Sequence, residues 1–163
     1  MNKPILKIVS LLSVFIGILA GVLAIIPFAG EVAFWLLITA AAPFVIVFLK
    51  KHNILEMMTV RQSTVMGGII GFMSFLAFCA LYVPIVVVLA KVFKYSPNAG
   101  VTLLVSNGTF GIILLLAVFM AVLSAVVNAF TGFVTFYLLD FLKTLNNDNV
   151  ESQEQFYIRK QDK

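Results

Sequence analysis

Four side chains in this sequence invite a search for chemistry: Glu31, His52, Cys79 and Asn128. His52 is the single histidine and follows Lys50 and Lys51 directly. A metal site or a general base needs partners, and no second histidine, cysteine or convergent carboxylate accompanies it. It reads as a solvated residue at the level of lipid headgroups. Cys79 is the single cysteine and lies inside an apolar run, so an intrachain disulfide is impossible and a small buried thiol is expected. There is no acidic pair within an apolar stretch, no nucleophile matched to a histidine, no phosphate loop and no metal-ligand set. The expectation is a protein that is not an enzyme and that needs no cofactor and no metal. Glu31 and Asn128 leave one further option. Coupled transport usually uses an ionisable group within the membrane, and Glu31 is the one candidate. Asn128 would belong to a weakly polar path.

These residues sit in a chain of 163 residues that is 62% hydrophobic and 11% charged. A soluble domain is nearer half apolar and a quarter charged. Too little polar surface remains to cover a water-soluble globule, whereas a bilayer solvates apolar side chains directly. The net charge of +4 does not imply nucleic acid, because the basic residues flank apolar runs and form no basic stripe.

Four apolar stretches approach the ~20 residues needed for a span: about 5–28, 32–49, 63–89 and 110–139. The first imitates a signal peptide, but its apolar run continues past Ala24 through Phe28, which favours an uncleaved span. Pro27 and Gly30 suit a tight turn, after which Glu31 falls in the first turn of the next helix, where the dipole favours an anion. Lys50, Lys51 and Arg61 edge the segment "KKHNILEMMTVRQ", whose Ile54, Leu55, Met57 and Met58 are expected to dip into the interface. In the connection 91–108, Ser96-Pro97-Asn98 reads as a turn, "VTLLV" is too short to span, and Asn107-Gly108-Thr109 matches a glycosylation acceptor. Pro43 and Pro84 should bend their helices.

Nine basic residues (Lys3, Lys7, Lys50, Lys51, Arg61, Lys143, Arg159, Lys160 and Lys163) fall on the side of the N-terminus, and two, Lys91 and Lys94, on the other. That asymmetry places both termini in the cytoplasm. The expected fold is all-α: an integral-membrane four-helix bundle over 1–143, with a polar cytoplasmic tail over 144–163 that reads as disordered. Phe156-Tyr157-Ile158 in that tail is a candidate contact motif. The location is a cell membrane, the inner membrane if the source is prokaryotic.

The spans differ in their small residues. Ser10, Ser13, Gly17, Ala20, Gly21 and Ala24 share an arc of about 100° on the first span. On the fourth, Ala117, Ala121, Ser124, Ala125, Asn128, Ala129, Thr131, Gly132 and Thr135 share a face about 160° wide, opposite a Phe/Val/Leu face. Ser63, Thr64, Gly67, Gly71 and Ser74 do the same on the third, while the second span is less regular. Lipid tails do not drive helices together hydrophobically, so association rests on close packing at small residues and on polar bonds across the contact. The packing candidates are Ser13, Gly17, Gly21, Gly67, Gly71, Ala121, Ala125, Asn128 and Gly132. Asn128 should bond to a neighbouring helix, with spans one and three as candidates. On the sequence alone, Asn128→Ala is mild and Asn128→Leu worse.

The expected function is therefore structural, assembly or interaction: a protein that packs in the bilayer against a second copy or a membrane-protein partner, without nucleic acid. The alternative is a small-solute transporter or channel that uses Glu31 and Asn128 along spans one and four. In chain size the protein is similar to the small multidrug transporters. Their carboxyl group lies within the first span, however, and this chain has none there.

Overall fold

The computed structural model describes residues 3–26, 28–52, 59–95, 99–108 and 110–161. Among these the protein is all-helical, with no strand. Helices α1 (Lys3–Leu23), α2 (Ala29–Lys51), α3 (Val60–Val92), α4 (Ala99–Asn107) and α5 (Phe110–Gln161) follow in order. Segments of α1, α2, α3 and α5 are long and apolar enough to cross a membrane: Pro4–Leu23, Ala29–Lys51, Arg61–Val92 and Phe110–Leu145. A helix satisfies its backbone groups internally, which is what hydrocarbon demands of a spanning segment.

The helix ends differ from the expected ones for local reasons. After Leu23 the chain tightens, with Ile25 and Ile26 N–H donating to the carbonyls three residues back. Phe28 then takes a left-handed conformation, φ 66°. The left-handed residue is thus Phe28 and not Gly30. Gly30 is already in α2, where a Cβ would come within 2.8 Å of the Ala24 carbonyl oxygen. Its lack of a side chain serves close approach. α3 starts at Val60 because Thr59 and Gln62 form a reciprocal capping box, Thr59 N–H to Gln62 Oε1 at 3.1 Å and Gln62 N–H to Thr59 Oγ1 at 3.4 Å. "VTLLV" belongs to the short helix α4.

α5 continues to Gln161, through a stretch that the sequence reading assigns to a disordered tail. Beyond Gly132 this chain contains neither glycine nor proline, so nothing in the sequence breaks the helix. Pro27, the interfacial residues Ile54, Leu55, Met57 and Met58, the Ser96-Pro97-Asn98 turn and Thr109 lie outside the described residues. So do the side chains of Phe156, Tyr157 and Ile158.

α3 packs against each of the other four helices, and α2 also packs against α1 and α5. Gly17 meets α3 at Ser74 and Gly21 meets it at Phe78 and Leu81, so α1 and α3 run parallel. Gly67 meets Ala129 and Gly71 meets Ser124, so α3 and α5 run antiparallel. α2 buries one continuous face, Ala33, Leu37, Ala41, Val45 and Leu49, with Ile38, Ala42 and Ile46 beside it. That face forms much of the core together with Met66, Ile70, Phe75 and Phe78 of α3.

Candidate functional site

Two features emerge from this packing: a buried polar joint around Asn128, and an aromatic-walled cavity at the end where α1 gives way to α2.

The joint begins with glycines. A Cβ on Gly67 would strike the Asn128 carbonyl oxygen and lie 3.0 Å from Ala129 Cα. One on Gly71 would lie 2.7 Å from Asn128 Cβ and would crowd the Ser124 carbonyl. The backbones of α3 and α5 therefore touch where only glycine fits. Gly132 continues the contact, 3.1 Å from Gly67 Cα and 3.2 Å from Ile46 by the same measure. With α5 held so close, the fully buried Asn128 side chain reaches past α3 to α2. Its Nδ2 donates to the carbonyls of Ile38 at 2.7 Å and Leu37 at 3.2 Å, and its Oδ1 accepts from Ala42 N–H at 2.8 Å. Nδ2 also donates to the Ser124 carbonyl at 3.0 Å.

The helix that Asn128 bonds is thus α2, not span one or three. The reason lies next door. Pro43 has no N–H, so the Thr39 carbonyl four residues back lacks its helix donor, one residue from the Ile38 carbonyl that Asn128 reaches. Ala42 N–H and Ile38 C=O are partners in a regular α-helix. The amide serves both. "TAAAP" carried this signal in the sequence, since a proline inside a span calls for a neighbour to satisfy the freed backbone.

The remaining packing candidates follow the same pattern. Ser13 is buried and donates to the Val9 carbonyl at 2.7 Å. A Cβ on Gly17 would strike the Ser74 carbonyl and lie 2.9 Å from Ala77 Cβ, while one on Gly21 would lie 3.3 Å from the Leu81 side chain. Ser74 and Ser124 both donate to the Gly71 carbonyl, at 3.2 and 3.1 Å. Ala121 is fully buried and Ala125 half-buried. No buried side-chain nitrogen or oxygen among the described residues lacks a partner. Opposite this face, Phe119, Val126 and Phe130 are each more than 60% exposed.

The cavity has a volume of about 550 Å³ and lies among α2, α3, α4 and the first turns of α5. Its wall is aromatic. Phe34 meets Trp35 edge-on at 6.2 Å and Phe75 at 6.0 Å, and Phe78 stacks on Tyr82 at 5.1 Å. Met120, Leu116 and Cys79 complete it from α5 and α3. Trp35 and Leu116, 65% and 44% exposed, mark where it opens. Glu31 lines the rim and is its single charged residue among the described residues.

Glu31 and Asn128 are not brought together, because Glu31 precedes Leu37 by more than one and a half turns of α2. His52 is exposed, its ring 4.5 Å from that of Phe48. Among the described residues no three His, Cys, Asp or Glu side chains converge on a metal site. Sequence reasoning missed the cavity, whose lining residues are scattered over five segments of chain.

Compared with known proteins, the chain matches no family model, no curated protein and no solved structure.

Proposed function

We propose that this protein is a multi-pass membrane protein of interaction type, a four-helix bundle in the cell membrane with both termini in the cytoplasm. It works by holding other hydrophobic molecules, with no reaction of its own. One observation carries the reading: the small and polar faces are spent on joining the chain's own helices. Contacts to anything else are left to the large apolar outer surface and the aromatic cavity. The orientation draws support from the helix directions. Lys7, Lys50, Lys51, Arg61 and Lys143 gather at one end, with Lys50 Nζ 5.2 Å above the Phe136 ring, while Lys91 and Lys94 lie at the other end.

Purification in mild detergent, with mass spectrometry of co-purifying proteins and lipids, tests the function. A second copy, a partner protein or a retained hydrophobic molecule is expected. A monomer that carries none of these overturns the proposal. Passage of a small solute remains the second reading, and Glu31 at the cavity rim favours it. Loss of a proton-linked activity in Glu31→Gln, at normal protein level, would promote that reading. The path along Asn128 gains no such support, since the amide is occupied by α2 backbone and Ser124.

A further inference from the structure

We propose that the cavity between α2, α3 and α5 binds a lipophilic organic cation, its apolar body against the aromatic wall and its charge toward Glu31. This deepens the binding role proposed above and rests on it. The volume of about 550 Å³ falls within the ~300–1,000 Å³ of small-molecule pockets. It suits one compact ligand.

Charge and wall chemistry then select the class. Glu31 is exposed at the rim, and among the described residues no basic side chain lines the cavity. An anionic ligand would meet a carboxylate without compensation, whereas a cation meets an opposite charge at a membrane edge. Trp35, Phe34, Phe78 and Tyr82 present ring faces and edges around the same space. Aromatic faces attract cations through the ring quadrupole, tryptophan most strongly. A quaternary or delocalised cation loses little hydration on entering such a wall. The backbone supports the placement of the carboxylate. Gly30 lies directly against Ala24, which holds the first turn of α2, and with it Glu31, at the cavity mouth.

Trp35 is the single tryptophan and lines the cavity, so its fluorescence reports binding there. Purified protein in detergent is titrated with tetraphenylphosphonium and with tetraphenylborate, which are nearly the same shape and opposite in charge. Tetraphenylphosphonium should quench Trp35 saturably. Glu31→Gln should weaken its binding about fivefold to tenfold, the scale of a partly screened charge pair. Glu31→Lys should shift the preference toward tetraphenylborate. Both variants sit at an exposed position, and thermal unfolding checks that they fold. Equal binding of the two ions, unaffected by either substitution, overturns the cation selectivity while leaving a cavity that binds. Quenching that never saturates for either ion overturns the site itself, and co-purification then decides the interaction role separately. A retained phospholipid that tetraphenylphosphonium does not displace also overturns the inference.

Discussion

Asn128 shows how one polar side chain in an apolar helix is made affordable. An amide in hydrocarbon needs acceptors for its two N–H groups and a donor for its oxygen, and a proline in a neighbouring helix leaves one carbonyl without its donor. The amide finds its partners one residue away from that site: Nδ2 donates to Ile38 C=O and Oδ1 accepts from Ala42 N–H, beside Pro43. Seen from α5 alone, Asn128→Ala removes a polar group along with its need. Seen from α2, it removes a second partner from Ala42 N–H and Ile38 C=O in a bent stretch of helix. Single polar contacts between membrane helices contribute about 0.6–2 kcal/mol. With several lost together, Asn128→Ala should cost about 1–3 kcal/mol in thermal unfolding. Pro43→Ala should recover part of that loss in the double variant, because α2 without the proline ring can straighten and draw Ala42 N–H and Ile38 C=O together. A double-mutant cycle measures the coupling. Strict additivity would show that the two residues do not act as one joint.

At the level of the helices, the contacts are graded by the space each glycine leaves. Gly17, Gly67 and Gly71 each face a carbonyl too closely for a methyl group. A Cβ on Gly68 would find its nearest atom at 3.7 Å, and one on Gly111 would find nothing within 4 Å. Gly17→Ala, Gly67→Ala and Gly71→Ala should each destabilise by about 1–3 kcal/mol through forced separation of the helices. Gly68→Ala and Gly111→Ala should be neutral or slightly stabilising, since alanine is the better helix former. Comparable melting losses at Gly68 and Gly71 would sink the packing argument. Thr59→Ala should cost about 1 kcal/mol by removing the α3 cap. The small arcs of α1 and α5 were legible beforehand, because small and large residues segregate on them. The buried face of α2 was not. Its opposite face, Val32, Trp35, Leu36 and Phe44, is apolar too. Where surroundings and core are equally apolar, hydrophobic periodicity disappears.

Across the whole molecule, helix length and charge distribution govern how the protein sits. α5 has 52 residues, about 78 Å at 1.5 Å per residue, against a hydrocarbon core of about 30 Å. Its sequence turns polar after about residue 139, so in the proposed orientation the rest would project beyond the membrane on the side of Lys50 and Arg61. With the proposed orientation, Lys143→Cys should resist a membrane-impermeant thiol reagent in intact cells, and Tyr95→Cys should react, both in a Cys79→Ser background. The reverse pattern would invert the topology. A crosslinking scan along α5 should find lipid at 119, 126 and 130 and protein at 121, 124 and 128. Exchange of those two sets would mean that the helix faces the other way.

The sequence by itself determined the helical character, four stretches long and apolar enough to cross a membrane, and the small-residue faces, because composition and spacing are properties of the chain. Only the tertiary structure decided which helix receives Asn128, which glycines touch backbone, and that Glu31 stands at the mouth of an aromatic cavity. Each of these depends on two or more segments meeting at one depth and one rotation. Between segments equally apolar on every side, sequence pattern carries almost no information about rotation. Steric fit at glycine and the pairing of backbone groups near Pro43 set it instead.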